Sequence, residues 1–320
     1  MSPVISKVFE NYVLEEFSDF FGVDHLQFGF QKGVGCNSAI FALRQVIEYF
    51  NNRGSNVYVA SLDATKAFDR VNHYQMFAIL FRANLPGFLI KTLINWYSKL
   101  AASVKWNNSM SGTFRICSGV RQGGILSPAL FNIYVNCIII KLRSSALGCH
   151  ISNIYLGVIM YADDILLLSS SCIELQKMLN ACSDLGDILG IRFNSKKSKC
   201  IIIGPNKPSK LPDMYIDNDL LQWCDKIKYL GIFIKSDAGF RVDYSEARRK
   251  YFSALNSIVY NSKFCTEIVI FELVEKQCMP LLLYCIESLD LSKKDISSVN
   301  SWLNMALRKV FGYNKWESDN

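Results

Sequence analysis

The sequence predicts an α+β fold whose short strands carry aspartates at their ends. Three observations support this. Residues 157–168 (GVIMYADDILLL) set two adjacent carboxylates, Asp163 and Asp164, between two aliphatic runs. A second β-prone run, residues 56–62, is followed at once by Asp63. On either side of both, apolar residues recur at helical rather than alternating spacing.

In chain order, residues 3–21 repeat apolar positions through Val4, Ile5, Val8, Phe9, Tyr12, Val13 and Phe17, and residues 38–50 do the same behind Asn37 and Ser38. Both read as amphipathic helices. The glycine-rich string between them, residues 27–35 (QFGFQKGVG), suits neither regular element and reads as a loop. Residues 56–62 form a strand behind the turn signal Arg53-Gly54-Ser55, and helical spacing resumes at Ala67, Phe68 and Val71. Residues 78–100 read as helices broken at Pro86-Gly87, and residues 103–117 as a β-hairpin turning at Asn107-Asn108. Ser127-Pro128 then opens a helix, the serine oxygen accepting an exposed backbone N–H and the proline giving up a donor that has no partner anyway. Two strands flank Asp163-Asp164, a helix covers residues 174–189, and Pro205, Pro208 and Pro212 mark a linker. A strand pair is expected over residues 226–234 and mostly helix over 245–313.

One continuous buried strand through Asp163 and Asp164 would point them to opposite faces and desolvate a charge, at a cost of several kcal/mol. A hairpin with the pair at its tip avoids this and presents both carboxylates together, as a hard cation held by oxygen ligands requires. Alternation puts Val57, Val59, Ser61 and Asp63 on one face, so an aspartate ends an otherwise apolar row. Two strand ends delivering three carboxylates could hold two Mg²⁺ ions roughly 4 Å apart, a pair suited to activating a 3′-hydroxyl and stabilising departing pyrophosphate. An isolated Asp-Asp in a turn is more often structural; the apolar strands on both sides and the preceding Tyr161 favour the metal reading.

Composition bounds the alternatives. Half of the 320 residues are hydrophobic and a fifth are charged, which fits a globular protein of one large domain or two and excludes a disordered chain. Apolar runs such as residues 138–140 and 165–168 fall far below the ~18 to 20 residues of a membrane span. Lys7, Glu10, Glu15 and Glu16 interrupt the opening residues, so a secretory signal is not expected and an intracellular location, nucleus or cytoplasm, is. Eleven cysteines without a Cys-x-x-Cys or Cys/His cluster argue against structural zinc, and Cys137, Cys182 and Cys285 read as reduced core thiols. The net charge is +7, and residues 192–250 hold 13 Lys or Arg against 7 Asp or Glu. A basic segment beside candidate carboxylates points to a polyanionic partner, with a merely solvated surface as the alternative.

In order and content these segments resemble the reverse transcriptase family, most closely its non-LTR (LINE-type) retrotransposon branch. Residues 62–73 (LDATKAFDRVNH) resemble the first palm motif, 119–132 (GVRQGGILSPALFN) the second, 159–168 (IMYADDILLL) the third and 191–199 (IRFNSKKSK) the fourth. Residues 228–234 (KYLGIFI) resemble the block that supports the primer end. The resemblance implies a right-hand polymerase of fingers, palm and thumb. Fingers, N-terminally incomplete, would occupy residues 1–56; the palm, an antiparallel sheet carrying the catalytic aspartates, 57–235, with 72–115 returning partly to the fingers; a helical thumb, 236–320. It implies RNA-directed DNA polymerisation: a DNA primer 3′ end extended with dNTPs on an RNA template. Asp63, Asp163 and Asp164 would be the ligands of two Mg²⁺ ions, which Mn²⁺ can replace.

The same resemblance assigns other roles. Phe68 falls where the family sets an aromatic wall against the sugar, which would exclude a ribose 2′-hydroxyl; a plain core position on a helix face is the alternative. Gln122-Gly123 matches a nucleotide-contacting pair, the amide hydrogen-bonding nucleotide or template and the glycine allowing close approach; a simple glycine-rich turn is the alternative. Lys197 matches a lysine placed near the departing pyrophosphate as general acid or charge clamp, although Lys196 and Lys199 adjoin it and any of the three could be solvated. Asp69 reads as a surface or capping residue.

Two departures stand out. Gln31 and Val34 occupy positions where the family's loop usually has arginines, which leaves Lys32 as the cation facing a triphosphate. The chain begins after the usual Arg-Pro-Ile-Ser fingers motif, nothing in it resembles an endonuclease, and its end near residues 311–314 looks like a thumb helix running into a cut, so a fragment of a larger reading frame is expected. A catalytically inactive remnant, or a co-opted module that binds nucleic acid, is the competing expectation; a group II intron maturase, which shares the palm motifs, is disfavoured because the N-terminal fingers motif and a basic RNA-binding extension are not seen.

Overall fold

Six strands build one sheet: β1 (Val57–Asp63), β2 (Val158–Tyr161), β3 (Asp164–Ser169), β4 (Lys199–Ile203), β5 (Met214–Ile216) and β6 (Asp219–Trp223). β1 is central because Val57, Val59, Ala60 and Leu62 give it apolar residues on both faces, all of them buried. It pairs antiparallel with β3 on one side and β4 on the other, and β2 pairs antiparallel with β3 at that edge. The order is β5-β6-β4-β1-β3-β2, with β4 and β6 parallel. That parallel contact departs from the antiparallel sheet expected. It arises because the chain folds back at Asp217-Asn218, both in the left-handed region that a tight hairpin turn requires, so that β6 returns along β4.

The structure is a computed structural model and describes residues 4–313. The chain divides into two compact units, Met1–Leu230 with Lys235–Phe240, and Gly231–Ile234 with Arg241–Asn320. In the first, α1 (Val4–Glu16), α2 (Cys36–Asn51), α3 (His73–Arg82), α4 (Gly87–Ser98), α5 (Ser127–Ser144) and α6 (Cys172–Leu189) accompany the sheet. α2 buries Ala39, Ile40, Leu43, Val46 and Ile47, the three-and-four spacing of one helix face, and packs on β1 and β2. α6 buries Leu175, Met178, Leu179 and Cys182 against β3, β5 and α5. α5 is apolar nearly all round, with Leu130, Phe131, Ile133, Tyr134, Val135, Ile138 and Ile139 buried, so it lies inside the core.

The second unit holds α7 (Ser245–Asn261), α8 (Glu267–Gln277) and α9 (Lys293–Phe311) around Tyr251, Leu255, Ile270, Val274, Val299, Ala306 and Val310. Ser292 and Asp295 cap α9 reciprocally. Both strands expected over residues 226–234 form, as Lys226–Tyr229 and Ile232–Lys235, on either side of Leu230 and Gly231 with positive φ. The expected hairpin over 103–117 forms as well, with Asn107 at its turn in the left-handed region. Residues 204–213 are irregular as anticipated but tied down, since the Asn56 Oδ1 accepts the Asn206 N–H and the Asn206 side chain donates to the Gly54 carbonyl.

Two local readings are corrected. α1 ends at Glu16, with a separate turn at Ser18–Phe21, and its apolar stripe is only partly turned inward: Val13 is buried and Phe9 and Phe17 pack on the core, whereas Val4, Ile5, Val8 and Tyr12 are exposed and Glu10 is buried. Ser127 is the first residue of α5 rather than its acceptor cap, and its hydroxyl donates to the Arg121 carbonyl. The acceptor comes from α1. The Glu10 carboxylate takes the N–H groups of Ile125 and Leu126 and lies 3.3 Å from Arg121 Nη1, where it answers backbone donors that a helix start leaves unpaired. The cysteines are free thiols, and burial pushes those of Cys182 and Cys200 up to about 12.

Candidate active site

The aliphatic register of the sheet decides where its carboxylates go. Leu62 pairs with Ile165, so the next pair along is Asp63 with Asp164, at the ends of adjacent strands. Directly opposed antiparallel residues share a face, with Cβ atoms roughly 4.5–5.5 Å apart. Ala162 and Asp163 form the two-residue turn between β2 and β3, closed by the pair Tyr161 with Asp164. Asp164 therefore already belongs to the ladder and Asp163 alone occupies the turn, a refinement of the tip expected for both.

Three like charges at one sheet end are costly in water-poor surroundings. Desolvation is the largest cause raising the Asp163 carboxyl above the usual carboxylate range, with the neighbouring Asp63 adding to it. Asp164 is raised by desolvation first, then by Asp163 and Asp63, and Lys228 opposes the shift. Asp164 keeps accessible surface while the protein atoms around it desolvate its carboxyl. Among the described residues, no three His, Cys, Asp or Glu side chains already close around one point as metal ligands; the aspartates are cross-strand and turn neighbours rather than a finished cage.

Residues 191–199 fold over the end of β1. The Asp63 carbonyl accepts the Asn194 N–H at 2.8 Å, and the Asp63 N–H donates to the buried Ser198 hydroxyl at 3.1 Å. The Asn194 side-chain oxygen accepts the N–H groups of Lys196 and Lys197, a local turn that commits Lys197 rather than its neighbours to the site. Lys197 Nζ lies 3.7 Å from Asp63 Oδ2. Lys197 is largely solvated and Asp63 partly so, and the pair adds about 0–1 kcal/mol to stability; what it does is set an ammonium beside the carboxylates.

Phe68 sits on a single helical turn, Ala67–Arg70, directly after β1. Its ring stacks on buried Phe131 at 4.0 Å and meets the edge of exposed Phe30. It is thus half core, and half a wall beside the residue 27–35 loop. Gln122 donates from Nε2 to Asp69 at 2.9 Å, which gives Asp69 a partner the sequence did not suggest. Gly123 has φ +79 with open space around its missing side chain, so its reason is backbone conformation rather than close packing. Lys32 is exposed on its loop, and no ion pair among the described residues ties it to the carboxylates.

The sequence reading missed the clamp that joins this loop to the aspartate turn. Gln27 is buried, and its Oε1 accepts the N–H groups of Gly29 at 3.1 Å and Ala162 at 2.9 Å. The Asn132 side chain donates to the Gly29 carbonyl at 2.7 Å, and Phe28 and Met160 are joined through their backbones. A Cβ at Gly29 would stand 2.4 Å from the Ala162 nitrogen, so only glycine fits.

The sequence profile of the family described as "Reverse transcriptase (RNA-dependent DNA polymerase)" matches residues 1–234. The Pol polyprotein of the R2DM retrotransposable element of Drosophila melanogaster is 27% identical over 233 residues, covering 70% of this chain and 22% of the relative. The RNA-directed DNA polymerase of the mobile element jockey of Drosophila funebris is 26% identical over 258 residues, covering 75% of this chain and 26% of the relative. The chain thus spans about a quarter of the length of these relatives. Among solved structures, a telomerase from Candida tropicalis in complex with a fragment of telomeric RNA superposes with a TM-score of 0.51 at 13% identity, over 97% of this chain and 51% of that one. Sheet, motifs and matches agree: the chain belongs to the reverse transcriptase family, as a domain of the LINE-type, non-LTR retrotransposon kind.

Proposed function

We propose that this chain is an RNA-directed DNA polymerase that extends a DNA primer 3′ end with dNTPs on an RNA template, using Asp63, Asp163 and Asp164. The observation that carries the reading is the register pairing Asp63 with Asp164 beside the Asp163 turn on an otherwise apolar sheet. Three carboxylates of this kind, two of them raised by desolvation first and then by neighbouring carboxylates, suit a hard divalent cation. Mg²⁺ or Mn²⁺ held there supplies Lewis acidity toward the attacking 3′-oxygen and the transferring phosphate.

The chain's own residues do the rest. Lys197 holds an ammonium beside Asp63, available to donate a proton or charge to departing pyrophosphate. Phe68, stiffened by Phe131 behind it, presents an apolar face that leaves no polar partner for a 2′-hydroxyl. Gln122, oriented by Asp69, offers its amide to nucleotide or template beside the open Gly123 backbone, and Lys32 offers a cation to the triphosphate. In this reading residues 1–56 act as fingers, 57–235 as palm with 72–115 partly in the fingers, and 236–320 as thumb.

Full chain given a primed RNA template, dNTPs and Mg²⁺ is expected to extend the primer, and Asp163→Asn to lower the rate by at least about 10³-fold. Equal extension by both would remove Asp163 from the site. Gln31 and Val34, without charge in the loop meant to face a triphosphate, favour a second reading, a binding module without catalysis. Salt-sensitive binding of the primed template with no extension at any dNTP concentration would select it.

A further inference from the structure

From Arg70 to Ala162 the sequence holds nine Lys or Arg and no Asp or Glu. Its net surplus of nine exceeds the surplus of six in residues 192–250, with no acidic residue to offset it, and it lies in a part of the chain that carries none of the three aspartates. Within it, a two-stranded ribbon stands out. The Ile116 N–H donates to the Leu100 carbonyl; Ala101–Ala102 pairs with Phe114–Arg115; the Ser111 N–H donates to the Val104 carbonyl; Lys105–Trp106 pairs with Ser109–Met110. Both faces of its outer end are open. Trp106 is 77% exposed and Met110 61%, with Val104 and Phe114 exposed nearby. Lys99, Lys105 and Arg115 are exposed on the same segment, and none of them forms an ion pair among the described residues.

A two-stranded ribbon is marginal in water, and a tryptophan left in solvent contributes nothing to holding it. Uncovered apolar side chains on a strand edge also invite self-association, which the surrounding like charges oppose. The pattern asks for an occupant that is both anionic and able to cover flat apolar faces. An acidic peptide meets the first requirement only, whereas single-stranded polynucleotide meets both, with phosphates for the cations and bases to stack on the indole.

We propose that the residue 99–116 ribbon binds single-stranded polynucleotide, Trp106 stacking on a base and Lys99, Lys105 and Arg115 meeting phosphates. The site is separate from the aspartates and needs no catalysis. The test is fluorescence anisotropy of a labelled 16-nucleotide single strand, as RNA and as DNA, with the full chain at several salt concentrations. Trp106→Ala should weaken binding by about 5- to 150-fold, the loss of one stacked base, while Trp106→Phe retains most of the affinity. Lys105→Ala with Arg115→Ala should flatten the salt slope by about 0.7 for each lost phosphate contact. Melting temperatures of the variants should match that of the parent chain. Loss with RNA alone, or with both strands, supports the proposal and separates the two sources. Unchanged affinity of Trp106→Ala for both strands overturns it, as does equal weakening toward polyglutamate, which has no bases to stack. A parent chain that binds but never extends a primer counts against the catalytic reading and not against this site.

Discussion

Asp163 and Asp164 bear a tension that a substitution can release. Their folded carboxyls titrate above the unfolded value, so the folded state holds protons more tightly than the unfolded one. Stability from these groups is therefore greatest at low pH and falls as pH rises through the ordinary carboxylate range toward the raised folded values. In metal-free buffer at pH 7, Asp163→Asn should melt slightly above the parent chain, by about 1 kcal/mol or less because solvent screens the site. The gap should close below about pH 4, and Mg²⁺ should stabilise the parent more than the variant. A variant that melts lower at pH 7 and equally at pH 4 would contradict the assignment of cause. A second residue carries an opposite expectation. Gln27→Leu strips buried acceptors from two N–H groups, and loss of about 2–4 kcal/mol in urea unfolding is expected; a change under 0.5 kcal/mol would show the clamp to be idle. The contrast explains what was legible. Asp163 and Asp164 announce themselves because charge between aliphatic runs is locally anomalous. Gln27 and Asn132 reach partners 135 and 103 residues away, and nothing beside them in the chain marks that.

At the scale of elements, periodicity located the helices and missed a buried charge on one of them. α1 has a regular apolar stripe, yet the side chain it buries deepest in polar work is Glu10, which closes the start of α5 and pairs with Arg121. A local pattern cannot show this, because the donors Ile125 and Leu126 lie more than a hundred residues on. The strands fared better, since β1, β2 and β3 are short apolar runs whose hydrophobic register admits few alternatives, and a one-residue slip would turn every side chain to the other face. Glu10→Ala should cost about 3–5 kcal/mol, the loss of a buried pair together with two backbone acceptors. Glu10→Gln keeps an oxygen for the N–H groups and should recover part of it. Urea unfolding of the two variants measures this, and equal small losses would reduce Glu10 to a surface residue turned inward.

For the whole molecule, the family match ends at residue 234, close to where the first compact unit ends. Asp63, Asp163, Asp164, Lys197, Gln27 and Glu10 all belong to that unit, as does the core that joins the sheet to α5 and α6. The second unit has its own apolar cluster, from Tyr251 to Val310. A chain of 240 residues is long enough to bury roughly 70% of the surface its unfolded form exposes. Residues 1–240 alone should therefore fold cooperatively, and the register of Asp63 against Asp164, set by pairs such as Leu62 with Ile165, should survive with them. Mg²⁺ should raise the melting temperature of this piece as it does that of the full chain, and Asp163→Asn should weaken that response in both. Loss of a cooperative transition on truncation would mean that the sheet depends on residues beyond 240, and that two separate cores do not make two separately stable bodies.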